Sequence, residues 1–222
     1  MFLGHYAIGL ASKKALPKVS LGTLFLAAQL VDLLWPLFLL LGLEHVRIDP
    51  HNTAVTPLDF YDYPITHSLI GAILWSCALG LTYTVLKKDK RAALILGLVV
   101  FSHWILDLIT HRPDLSLGLG GSTYVGLGLW NSVPGTLVAE FGLFAAGIIL
   151  YTRTTTAKDR IGSIGFWSLI GILALIYVGN VAGPPPPSAS IIAIAGNASW
   201  LFILWAYWVD KHRRVKSSAD QP

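Results

Sequence analysis

Segment 101–114 reads FSHWILDLITHRPD and spaces His103, Asp107 and His111 four residues apart. On an α-helix, four residues overshoot one turn by about 40° and rise about 6 Å, so the three side chains form one stripe. Neighbours one turn apart can share a divalent ion, as two histidines do in helical zinc sites. His103 and His111 lie about 12 Å apart along the axis, too far for one ion unless the helix ends early. Pro113 predicts such an end near His111. His67 in YPITHS and Asp32 in AAQLVDLLWP add an imidazole and a carboxylate, with Gln29 one turn before Asp32. His5 and Glu140 complete the ionisable residues in apolar surroundings. This mixture of imidazole and carboxylate suits Zn²⁺ first, then Mn²⁺ or Fe²⁺, over Ca²⁺ or Cu⁺. A bound ion of this kind lowers the pKa of its water to about 7. In such chemistry Asp107 or Glu140 takes the proton of the water and His111 protonates the leaving group. A hydrogen-bonded polar seam between helices is the competing reading of the same stripe.

The elements that must position these residues are read from composition. Of 222 residues, 54% are apolar and only 13% charged, and mean hydropathy is +0.63. A soluble domain carries about 25% charged residues. A soluble enzyme, a disordered tail and a nucleic-acid-binding domain are therefore excluded, since the net charge of +4 sits in short clusters between apolar runs. Cys77 is the single cysteine, which excludes an intramolecular disulfide. Apolar runs near 20 residues cover 21–43, 67–86, 92–110, 134–151, 161–181 and 189–209. Each is long enough for a hydrocarbon core of about 30 Å. The expected fold class is all-α, a polytopic transmembrane helical bundle of about six spans within a single membrane domain. The runs are continuous rather than alternating, which disfavours a β-barrel. No internal repeat supports an inverted-repeat transporter.

Fourteen of the 16 basic residues fall at one side of this topology, leaving Arg47 and Arg112 on the other. The excess of basic charge assigns that side to the cytoplasm, with the basic tail 210–222. The outer ends of the spans then lie near residues 43, 67, 110 and 134. His67, Asp107, His111 and Glu140 are expected toward the outer side, with His103 and Asp32 nearer the middle, around one outward-opening cavity. Segment 1–16 is apolar for about 12 residues, too short to span, and Pro17 ends it. Either it lies in the interface and His5 is out of reach, or it inserts with Lys13 and Lys14 at the surface and His5 rises toward mid-membrane. The loop 115–130, with Gly118, Gly120, Gly121, Gly126 and Gly128, is flexible enough to act as a lid.

His5 in its short apolar segment, Asp32, YPITHS and SHWILDLITHRPD together resemble the prokaryotic inner-membrane metal-dependent hydrolase family that includes LexA-binding inner-membrane hydrolase-like proteins. The resemblance covers roughly residues 1–145. It implies location in the inner membrane and a metal site made of His5, Asp32, His67, His103, Asp107 and His111. Many relatives carry Pro-Asp-x-Asp near the first span, whereas this chain has Gln29-Leu30-Val31-Asp32, with one acid. The order His, Asp, His, His-x-x-x-Asp is also similar to the ligand order of zinc-dependent phospholipase C and related single-strand nucleases. That likeness implies phosphoester chemistry on a small-molecule or lipid-like substrate. The resulting expectation is a membrane-embedded metal-dependent hydrolase. A transporter or channel for protons or metal ions, and a non-catalytic membrane interaction protein, are the alternatives.

Overall fold

The computed structural model describes residues 1–120 and 123–217. Gly121 of the glycine-rich loop and residues 218–222 of the tail lie outside the described residues. The chain is a multi-pass helical membrane protein: six helical stretches are long and apolar enough to cross a bilayer. In chain order the helices are α1 (Leu3–Ser12), α2 (Leu21–Leu40), α3 (Pro64–His67), α4 (Leu69–Lys87), α5 (Lys90–Thr110), α6 (Val133–Thr154), α7 (Arg160–Ala182), α8 (Ala189–Asn197) and α9 (Trp200–Lys211). Their starts are encoded locally. Ser20, Ser68, Asp89, Ser132, Asp159 and Ser188 each accept a hydrogen bond from the backbone N–H three residues on. Such caps satisfy donors that a helix start otherwise leaves open.

The run at 189–209 is divided between α8 and α9. Pro36 of α2 fits against Gly196, where a Cβ would come within 2.6 Å of the proline ring. Turn-type bonds Ala198 N–H to Ala195 O and Ser199 N–H to Gly196 O interrupt the helical ladder there.

Two hairpins mark one end of the bundle. Strands β1 (His45–Ile48) and β2 (Leu58–Asp62) pair antiparallel with Arg47 opposite Asp59, and β3 (Leu115–Ser116) pairs with β4 (Tyr124–Val125). The opposite, basic end carries the lysines and arginines between α4 and α5 and between α6 and α7. There β5 (Thr155–Ala157) pairs with β6 (Arg213–Val215), so the start of the basic tail is fastened to the bundle. Arg213 is buried, donates to Thr155 Oγ1 and the Gly162 carbonyl, and lies over the rings of Tyr151 and Phe166. Lys13 is also buried, 2.9 Å from Asp210 Oδ1 and 2.8 Å from the Val19 carbonyl.

The short α1 lies inside the bundle rather than flat in the interface. Ten residues give it about 15 Å, half a bilayer core. Leu3, Tyr6, Ala7 and Leu10 are buried with Phe25, Phe144, Phe166, Leu169, Leu173 and Ile203. Gly147 lets α6 approach closely, since a Cβ there would meet the Ala7 carbonyl at 2.6 Å. Small residues at crossings are the usual device for close packing in lipid. A second buried apolar cluster, including Leu24, Ala27, Ala28, Leu96, Val99 and Val100, joins α2 to α5 on the basic side of Asp32 and His103.

Candidate metal centre

Four separate elements converge near the middle of the bundle. The α1 segment packs inside the bundle with Lys13 paired to Asp210, which brings His5 beside Asp107 and His103. Asp32 comes from the third turn of α2, His67 from the last residue of α3, and His103 and Asp107 from successive turns of α5. All five side chains are buried except Asp32, about a third of whose side chain is exposed. Asp32 is therefore the most open of the five.

His5 Nε2 lies 3.1 Å from Asp107 Oδ1. His103 Nε2 lies 3.2 Å from Asp107 Oδ2 and 3.6 Å from Asp32 Oδ1. His67 Nε2 lies 3.3 Å from Asp32 Oδ1 and 3.9 Å from Asp107 Oδ2. The Met1 backbone nitrogen is 2.5 Å from Asp107 Oδ1. The rings of His5 and His103 stack in parallel, 3.5 Å apart.

Hydrogen bonding assigns the ring nitrogens. His103 Nδ1 donates to the Ala28 carbonyl at 2.9 Å, which turns its Nε2 toward the two carboxylates. That Nε2 is buried and has no hydrogen-bond partner, although two carboxylates stand beside it. Carboxylate oxygens beside that nitrogen call for positive charge between them, which a proton on Nε2 or a bound cation supplies. Two overlapping groups have the geometry to hold one: His5, His103 and Asp107, and Asp32, His67 and His103, with ligand atoms in each within 4.8 Å of one another. His103 has one lone pair and serves one group at a time, whereas Asp107 presents an oxygen toward each. The orphaned nitrogen and the donor set both fit a divalent transition ion.

The remaining candidates fall elsewhere. Pro113 and the helix end at Thr110 turn His111 away from the stripe. Its Nδ1 lies 2.9 Å from Asp114 Oδ1, and Tyr63 Oη donates to the same oxygen at 3.2 Å. The His111 ring packs against Trp130 with centroids 4.2 Å apart. His111 is therefore outside both metal-binding groups and forms a separate polar triad at the hairpin end. Glu140 is also apart from them. Its Oε1 accepts from Phe2 N–H at 2.9 Å and its Oε2 from Gly4 N–H at 2.8 Å. Both oxygens thus cap the start of α1, where a carboxylate complements the helix dipole. Arg112 pairs with Asp59 at 2.5 Å and Asp114 at 3.4 Å, away from Glu140. Gln29 is buried on α2, and its Nε2 has no partner.

Sequence reading placed Thr66 or Ser68 beside His67 as a cap or supporting partner, but gave no such role to Glu44, Tyr63 or Asp114. The YPITHS motif contained Tyr63 and Thr66, but only the fold shows that Thr66 Oγ1 lies 2.7 Å from His67 Nδ1. Tyr63 is buried between the His67 and His111 rings. Burial and then the Asp114 carboxylate push its phenol well above the ordinary value.

The chain matches no family model, no curated protein and no solved structure.

Proposed function

We propose that this chain is a membrane-embedded, metal-dependent hydrolase whose centre opens to the external face. The observation that carries this reading is the convergence of His5, Asp32, His67, His103 and Asp107 at membrane depth. An ionisable residue at that depth costs at least about 2.5–3.5 kcal/mol, and five together are costly without a functional ligand. The resemblance of YPITHS and SHWILDLITHRPD to inner-membrane metal-dependent hydrolases points the same way, and the imidazole and carboxylate donors suit zinc first, then manganese or iron. A divalent ion held here supplies a Lewis acid and an acidified water. Asp107 holds its place between imidazoles, with both oxygens engaged. Asp32 is the least buried of the three carboxylates, so it is better placed than Asp107 or Glu140 to accept a proton. His111, held by Asp114 and Tyr63, stands closer to the hairpin end, where a leaving group would depart. Phosphoesters or lipid-like esters are the substrate class. The membrane is the inner membrane of a prokaryote, with the basic end and C-terminus in the cytoplasm.

A transporter using the same stripe needs polar groups through to the basic end. The buried cluster of Leu24, Ala27, Leu96, Val99 and Val100 favours a blind cavity instead.

Elemental analysis of the purified protein tests the metal. Wild type is expected to carry stoichiometric transition metal, and the His103→Ala, Asp107→Ala double variant to lose it. Equal metal content in the two proteins would sink the reading. Metal-dependent cleavage of a chromogenic phosphodiester in wild type alone supports hydrolysis. Metal flux into proteoliposomes, abolished by His103→Ala, would favour transport instead.

A further inference from the structure

Glu44 lies just beyond α2, fully buried. Gly42 takes the left-handed conformation at φ +66, and the N–H groups of Leu43 and Glu44 both bond back to the Phe38 carbonyl. That turn directs the Glu44 side chain back into the protein. There its Oε1 accepts the Thr66 backbone N–H at 2.8 Å, and its Oε2 accepts the Thr66 hydroxyl at 2.7 Å. The hydroxyl has one proton, and Glu44 takes it. Thr66 Oγ1 therefore meets His67 Nδ1, 2.7 Å away, only as an acceptor. Nδ1 therefore carries a proton, and Nε2 is the nitrogen turned toward Asp32, 3.3 Å away, and Asp107.

We propose that Glu44 is a positioning residue which, through Thr66, holds His67 in the tautomer that binds metal at Nε2. The metal-binding part of this inference rests on the proposed centre; the tautomer part stands on the hydrogen bonds alone. Partners behind a ligating histidine fix its ring and commonly change metal affinity 10–100-fold when lost.

Glu44→Gln is the informative variant because it keeps the shape. Thr66 offers two donors, and a glutamine offers one acceptor and one donor group. With its amide nitrogen toward Thr66 Oγ1, the hydroxyl proton is freed to turn toward His67, which favours an unprotonated Nδ1 and a proton on Nε2. With the amide reversed, its NH₂ clashes with the Thr66 N–H. Thr66→Val removes the acceptor for Nδ1 altogether, and Thr66→Ser preserves it.

The test uses the full chain in detergent with Co²⁺ as the probe, alongside ¹⁵N-histidine NMR, with the His67 signals assigned by their loss in His67→Asn. Wild type and Thr66→Ser should bind Co²⁺ alike and show His67 protonated at Nδ1. Glu44→Gln and Thr66→Val should weaken Co²⁺ binding about 10–100-fold, and Glu44→Gln should move the His67 proton to Nε2. Unchanged affinity with an unchanged tautomer in Glu44→Gln overturns the proposal. If Glu44→Gln does not fold, Thr66→Val with wild-type Co²⁺ affinity overturns it equally. If wild type binds no Co²⁺, the metal centre falls, and the tautomer in Glu44→Gln and wild type still decides the role of Glu44.

Discussion

Asp107 and His111 sit one turn apart in sequence, yet they belong to different assemblies. Asp107 faces His5 and His103, while His111 gives its Nδ1 to Asp114. His5→Gln should therefore cut bound metal severalfold, while His111→Gln should leave metal content within about twofold; elemental analysis of both variants decides. Tyr63 adds a pH signature. Its folded pKa is raised, so the stability it contributes is fully present below about pH 10, the unfolded value, and is lost as pH rises above it. Chemical denaturation from pH 8.5 to 11 should show wild type losing stability more steeply than Tyr63→Phe. The variant itself should be less stable by about 1–3 kcal/mol near neutrality, because Asp114 loses a donor. The stripe at His103 and Asp107 was legible because helical periodicity alone aligns it. Glu44 was not, because an acid just after a span looks like an ordinary loop residue and its partner Thr66 lies 22 positions away. Glu140 looked like a base for the same reason: no spacing encodes that a backbone 136 residues distant will occupy its oxygens.

At the scale of elements, α1 decides whether the centre is complete. Its hydrophobic length excluded a span but left its depth open, since an interfacial and an inserted helix share the same composition. The deciding features are distant in sequence. Gly147 clears space beside Ala7, and Glu140 receives the N–H groups of Phe2 and Gly4. Glu140→Gln keeps one acceptor and turns the other into a donor facing an N–H. It should cost about 1–3 kcal/mol in thermal unfolding and lower metal content through His5, with the other four groups in place. A Glu140→Gln protein with wild-type stability and full metal content would separate α1 seating from the centre. The six long helices were legible from apolar run length, and their starts from Ser and Asp caps. The break between α8 and α9 was not, because it depends on Pro36 meeting Gly196.

Over the whole molecule, charge divides into a basic end, a hairpin end and a small remainder inside. Two basic residues read as part of the rim are structural instead. Lys13 ties α1 to Asp210 of α9, and Arg213 fastens the tail to β5. The proposed orientation predicts opposite labelling at the two ends. In a Cys77→Ala background, His51→Cys should react with an impermeant maleimide in intact cells, and Lys87→Cys only after permeabilisation. The reverse pattern would place the centre's opening at the cytoplasm.

The bond from Phe2 to Glu140 spans 138 positions, and its consequence lies in biogenesis. A ribosome makes α1 before α6, α7 and α9 exist, so its polar groups wait without their eventual neighbours. Contacts so remote in the chain form late. His5 can join the other four residues of the cluster only after α6 has been inserted, so a metal ion held by the whole cluster would load only once most of the protein is in the membrane. A truncated product ending before Glu140 would lack the socket for α1, and a nascent chain would pass through the translocon before the centre can close.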